Sequence, residues 1–200
     1  MTTTPHPSTP APSAALRRAA AAALAAAGVL AAGSAAAQGT QAPTAEKAAR
    51  GKYLVATAGC MDCHTPMKMG ANGPEWDMSR MLSGHPEQLV MPPVPALPDG
   101  PWLVISSATN TAFAGPWGVS FAANLTPDPD TGLGPWSARD FRQTIRTGRH
   151  LGRGREVLPP MPIPVYNNFT DEDLDAIYAY LRTIPPVRNR VPEPWAPQSK

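Results

Sequence analysis

Apolar and polar positions recur with a helical period in three stretches of the chain. The clearest is residues 170–184, where Leu174, Ile177, Tyr178 and Leu181 follow i, i+3, i+4, i+7, flanked by Tyr180 and Ile184. Thr170 supplies an N-cap, Asp171, Glu172 and Asp173 complement the positive end of the helix dipole, and Pro185-Pro186 stops the helix. Residues 137–148 predict a shorter amphipathic helix, capped by Ser137, closed by Gly148, with Phe141 and Ile145 one turn apart. Residues 45–58 (AEKAARGKYLVATA) are rich in helix formers, with Thr44 as N-cap and Glu46 in the first turn. Gly51 interrupts that pattern at a cost in stability, which close packing against another element would explain.

Between the helices expected at 45–58 and 137–148 the pattern dissolves. Residues 66–135 are dominated by Pro, Gly, Asn and Asp. Leu103-Val104-Ile105 and the stretch Trp117-Gly118-Val119-Ser120-Phe121 predict a short β-hairpin. Residues 124–132 (NLTPDPDTG) read as a turn cluster. So long a stretch without regular structure is unusual in a compact domain unless it covers a ligand.

The chain opens with a different signature. Arg17 and Arg18 precede an apolar run from residue 19 to 32, and Ala35-Ala36-Ala37 offers a small-residue cleavage pattern. Residues 1–37 are therefore expected to be a secretory signal peptide that directs the chain to the periplasm. An uncleaved membrane anchor is the alternative, although the run falls short of the about 20 strongly apolar residues a span needs. The expected organisation is then a flexible N-terminus over residues 38–43, one domain over 44–190, and a C-terminal tail over 191–200. Arg17 and Arg18 are the only basic residues of the export segment. Without them the 17 Lys and Arg of the chain fall to 15, against 15 Asp and Glu. A near-neutral mature chain argues against a nucleic-acid partner.

Two cysteines remain, Cys60 and Cys63. A disulfide across so short a loop would stabilise little, because chain-entropy stabilisation grows with loop length. With the next residue they form Cys60-Met61-Asp62-Cys63-His64, a CxxCH motif, the attachment signature of c-type haem. Two thiols at this spacing can each form a thioether with one vinyl group on the same macrocycle edge. His64 then presents an imidazole nitrogen to the iron. A thioredoxin-like dithiol would need a βαβ setting, which the flanking residues do not predict. A structural zinc site would need about four ligands, and His6, His85 and His150 are the only other imidazoles.

The sixth iron ligand has several candidates. Met161 lies in Leu158-Pro159-Pro160-Met161-Pro162-Ile163-Pro164, where prolines on both sides restrict the backbone. Such a loop helps to hold a thioether on the iron, and a methionine ligand raises the potential. Met91, before Pro92-Pro93, is the closest rival; Met67, Met69, Met78 and Met81 are less constrained, and His85 or His150 would give a bis-imidazole iron.

Taken together, these residues resemble the class I c-type cytochromes, and more narrowly the monohaem domains of bacterial dehydrogenase cytochrome c subunits. The resemblance rests on Arg50-Gly51-Lys52-Tyr53-Leu54 before the CxxCH, Asn124-Leu125-Thr126-Pro127-Asp128, Ile145-Arg146-Thr147-Gly148, Pro160-Met161-Pro162, and the segment from Asp173 to Arg182. It implies an all-α, cytochrome c-like fold with crossed N- and C-terminal helices around one haem, and Met161 as the distal ligand. It also sets Gly51 against Tyr178 or Tyr180 at the crossing. Related dehydrogenase subunits often string three such domains together, whereas this chain has one CxxCH.

The function expected is one-electron transfer through one covalent haem c with His/Met ligation. By the resemblance, the donor would be a dehydrogenase and the acceptor a terminal oxidase, in a membrane-associated complex or as a free carrier. A haem enzyme with a displaceable sixth ligand, such as a peroxidase or sulfur-compound oxidoreductase, is the alternative. Arg146, Arg149, Arg153 and Arg155 are candidates for the haem propionates, or are solvated loop charges. Trp117 and Trp136 could line the haem edge or pack as ordinary core aromatics.

Overall fold

Gly59 separates the first two helices. Its φ of 72° lies in the left-handed region that glycine reaches without strain, and there the chain turns from α1 (Ala42–Thr57) into α2 (Cys60–His64). The computed structural model describes residues 42–95 and 101–197, with the backbone alone for residues 42–44. The expected export segment, residues 1–37, lies outside them. Helix α1 begins at Ala42, so Thr44 sits inside it instead of capping it, and the last two residues of the expected N-terminal loop are helical. Pro43 is compatible with this start, since a first-turn N–H has no helical partner to lose. No helix among the described residues is long and apolar enough to cross a membrane.

Helix α3 (Ala138–Thr147) forms where its local chemistry predicts. The Ser137 hydroxyl accepts from the Asp140 N–H, the Asp140 carboxylate accepts from the Ser137 N–H, and Gly148 closes the helix at φ 64°. A short helix, α4 (Ile163–Tyr166), leads to α5 (Asp171–Leu181), whose N-cap Thr170 accepts from the Asp173 N–H. Helix α5 ends at Leu181, a turn before Pro185-Pro186, yet Ile184 remains buried beyond it.

Helices α1 and α5 meet where the glycine predicts. A Cβ on Gly51 would collide with the carbonyl oxygen of Ala176 and come within 2.9 Å of the Tyr180 Cβ. Tyr180, not Tyr178, is therefore the aromatic residue at the crossing. The hydroxyl of Tyr178 instead donates to the carbonyl of Trp136 (2.5 Å). Leu54 and Val55 of α1, Phe141 and Ile145 of α3, and Leu174 and Ile177 of α5 join one buried apolar cluster. At the surface, Lys47 and Arg50 of α1 pair with Asp175 and Asp173, while Arg142 of α3 bonds to Asp175.

The loop-rich middle holds two small antiparallel sheets, so the all-α expectation describes the helical core and not the whole domain. Strands β1 (Met67–Gly70) and β2 (Gly73–Trp76) form a hairpin that the sequence pattern does not announce. A three-stranded sheet follows, in the order β3 (Ile105–Ser106), β4 (Ala112–Gly115), β5 (Gly118–Phe121). The expected pairing of residues 103–105 with 117–121 is corrected: Ile105 pairs with Ala114, and β4 lies between the two segments. Strand β4 was missed because Ala-Phe-Ala-Gly carries no β-branched residue. All four residues of β5 are buried, which removes the alternation that marks a strand.

The turn cluster fastens this layer to the end of the chain. Asn124 Nδ2 donates to the Val187 carbonyl (2.8 Å), and its Oδ1 accepts from the N–H and hydroxyl of Thr126. Asp128 Oδ1 accepts from the Thr131 hydroxyl (2.6 Å) and N–H, and the Thr131 hydroxyl oxygen accepts from the Asn189 N–H (2.9 Å). Asn189, wholly buried, donates to the carbonyls of Ser83 and His85 and accepts from Arg80 and the Glu87 N–H. Residues 191–195, set apart in the sequence as part of a tail, pack on the domain through an antiparallel bridge between Trp195 and Val119.

Candidate functional site

The end of α1 and the turn at Gly59 aim the CxxCH segment at the interior. Cys60, Cys63 and His64 line a cavity of about 770 Å³, within the roughly 300–1,000 Å³ usual for cofactor pockets. Its walls are mostly apolar, with Val55, Leu125, Ile145, Leu174 and Ile177 contributing from three helices and a loop. A core built this way suits a large apolar occupant.

His64 is buried, and its Nδ1–H donates to the carbonyl of Ala123 (2.8 Å). That bond fixes the ring orientation and leaves Nε2 with its lone pair, the tautomer a metal ligand needs. Burial lowers the pKa of His64 below the ordinary histidine value, against the opposing effect of the Ala123 carbonyl. Cys60 and Cys63 form no disulfide with each other. Burial pushes Cys60 up to about 11 and raises Cys63, with the Asp62 carboxylate adding to both. A redox-active CxxC lowers its thiol pKa instead. Two half-buried sulfurs beside an oriented imidazole fit a covalently attached haem c.

Met161 lines the same cavity, as the only methionine to do so among the described residues. Met91 packs against the small cluster of Ala112, Val119 and Phe121, and Met81 packs against the main core. Met69 and Met78 are exposed. His85 is removed from the candidate ligands by its own bonds. It is wholly buried, its Nε2–H donates to the Leu89 carbonyl, and Nδ1 accepts from the Thr111 hydroxyl. His150 does line the cavity, with its ring edge-on to Trp136 at 4.9 Å.

The arginines divide. Arg153 and Arg155 reach the cavity, whereas Arg146 and Arg149 do not. Arg146 instead clamps the approach to α5, donating to the carbonyls of Asn167 and Phe169 and to the Asp171 carboxylate. Arg149 donates to the Gly154 carbonyl. Trp136 lines the cavity; Trp117 does not, and its indole N–H donates to Ser120.

The outer wall was not foreseen from sequence. Residues 190–194 all line the cavity, strung between the buried Asn189 and the Trp195 bridge, and Glu193 pairs with Arg155 at 3.3 Å. Three prolines, at 192, 194 and 197, give this segment no periodic pattern. Tyr166 and Ser120 were also missed, and both line the cavity. Neither carries a motif; an isolated polar residue becomes legible only once its partners are known.

The aligned relatives include dehydrogenase subunits, several of them named as cytochrome subunits. The chain is 39% identical over 88 residues to a nicotinate dehydrogenase subunit of Pseudomonas putida, covering 44% of this chain and 7% of that protein. It is 30% identical over 135 residues to the fructose dehydrogenase cytochrome subunit of Gluconobacter japonicus, covering 68% of this chain and 21% of that one. With the cytochrome c subunit of a quinone alcohol dehydrogenase from Gluconobacter oxydans it shares 27% over 147 residues, 72% of this chain and 23% of the relative. The chain thus spans less than a quarter of the length of each of these relatives. Residues 48–185 match the cytochrome c family, a span that contains the CxxCH, Met161 and the meeting of α1 with α5, and the chain belongs to that family.

Proposed function

We propose that this cytochrome c-family protein is an exported one-electron carrier with one haem c, attached through Cys60 and Cys63 and ligated by His64 and Met161. When bound, the haem supplies a one-electron Fe(III)/Fe(II) couple. The observation that carries the reading is the convergence of four residues on one cavity: both thiols, the oriented imidazole and the proline-framed thioether. The Ala123 carbonyl holds His64 in the ligating tautomer. Apolar walls from α1, α3 and α5 exclude water and favour the form of lower charge. Arg153, Arg155 and Arg190 offer cationic partners for carboxylates at the cavity.

The N-terminal segment supports export to the periplasm, where c-type haem attachment and use would take place. By likeness to cytochrome subunits of dehydrogenases, the electron donor would be a dehydrogenase and the acceptor a terminal oxidase or another redox protein. The chain would then serve as carrier or electron-transfer subunit, and substrate oxidation would belong to the partner.

The test is the absorption spectrum of the purified holoprotein. A weak far-red band in the ferric form that Met161→Ala abolishes, together with a lowered midpoint potential, supports His/Met ligation. A band and potential unchanged in Met161→Ala would refute the distal assignment. If His150→Ala, and not Met161→Ala, alters the axial signature, the iron is bis-imidazole.

A further inference from the structure

The segment that presents Met161 is unusually poor in backbone donors. Pro159, Pro160, Pro162 and Pro164 have no N–H, so only Met161 and Ile163 can donate between residues 159 and 164. Ile163 spends its N–H on the carbonyl of Met161 itself (2.9 Å), a bond internal to the loop. The loop's remaining fastening to the rest of the domain therefore runs through its carbonyls.

Ser120, in the buried strand β5, provides that fastening. Its side chain is buried and lines the same cavity as Met161. Its Oγ lies 2.5 Å from the carbonyl of Pro159, two residues before Met161. The Phe113 carbonyl is a more distant acceptor at 3.4 Å, so the hydroxyl proton goes to Pro159. The indole N–H of Trp117 donates to the same oxygen at 3.3 Å, orienting the hydroxyl from the other side. Strand β5 is itself immobilised: β4 pairs along one edge, and Val119 exchanges both backbone bonds with Trp195. The hydroxyl is thus a polar link between a rigid strand and the donor-poor loop on the N-terminal side of Met161, while α4 holds the other side through the Pro162 carbonyl.

We propose that Ser120 is a positioning residue for the distal ligand, tethering the Met161 loop through Pro159 so that the thioether stays at the iron in both oxidation states. The inference rests on the His64/Met161 reading above. Loss of the tether would loosen the sulfur in both oxidation states, and most in the ferric state, where the iron–thioether bond is weaker. It would favour oxidised iron and open the sixth position to added ligands.

The matched variants are Ser120→Thr and Ser120→Val, which share a shape and differ in the hydroxyl, with Ser120→Ala as the smaller deletion. All are prepared as mature holoprotein from an exporting host. The expected result is that Ser120→Val and Ser120→Ala lose at least half the ferric far-red band and bind carbon monoxide at least tenfold faster when reduced. Their midpoint potential falls by a tenfold change in equilibrium, about 59 mV for one electron, while Ser120→Thr stays near wild type. A band, carbon monoxide rate and potential unchanged in Ser120→Val and Ser120→Ala would overturn the proposal, as would equal losses in Ser120→Thr and Ser120→Val. Met161→Ala, measured beside them, separates the two claims. If it leaves the band intact, the ligand assignment has failed; if it abolishes the band while Ser120→Val retains it, only the tether has failed.

Discussion

The hydroxyl of Tyr166 donates to the carbonyl of Ala58 across 2.6 Å, joining α4, five residues after Met161, to the last turn before Cys60. The bond links the loop bearing the distal candidate to the segment bearing the attachment site. Burial raises the Tyr166 hydroxyl above the ordinary tyrosine value, so it remains a donor across the neutral range. Tyr166→Phe removes the donor and leaves the Ala58 carbonyl without its partner. The expected loss is about 1–2 kcal/mol, read from the denaturant midpoint of the holoprotein. An unchanged midpoint would mean that the bond contributes nothing net.

At the helix crossing, the contact is with backbone and cannot relax by rotating a side chain. Gly51→Ala would drive a methyl group into the Ala176 carbonyl and against Tyr180. Despite alanine's better helix propensity, a loss of about 3 kcal/mol is expected, seen as a lowered thermal midpoint. A stabilised variant would show that α1 and α5 do not meet as described.

The turn cluster makes a prediction about acid. The Thr131 hydroxyl, then the N–H groups of Thr131 and Asp130, hold the Asp128 carboxyl below its ordinary value, with Arg188 adding a smaller effect. A depressed folded-state pKa contributes stability that is fully present above the unfolded value of about 3.9. It is lost as pH falls through the folded value. Asp128→Asn should therefore be less stable than wild type at pH 7, and the difference should shrink as pH drops below about 4. Urea unfolding at pH 7 and pH 3 measures it. A difference that stays constant between these two conditions would contradict the assignment.

Features set by neighbours in sequence were legible before the fold was known. The Ser137 cap, the Thr170 cap and the CxxCH each lie within five consecutive residues, so spacing alone describes them. Gly51 was half legible: its cost announced a close approach, but the partner, Ala176, lies 125 residues away. What remained hidden depends on distant pairing. Strand β4 is built from Ala, Phe and Gly and gains its identity from β3 and β5 on either side. His85 looked like a free imidazole until Leu89 and Thr111 were found to occupy both ring nitrogens. Residues 191–194 read as part of a tail because proline-rich sequence has no period, and only the Trp195 bridge turns them into a cavity wall.

Most depends on the chemical state of two sulfur atoms, which a denaturing mass spectrum of the mature protein from an exporting host reads directly. The predicted spectrum shows the polypeptide plus one haem, retained after acid-acetone extraction and lost when Cys60 and Cys63 are both replaced by Ser. A chain of unmodified mass, with both thiols open to alkylation and no Soret absorption, would contradict it.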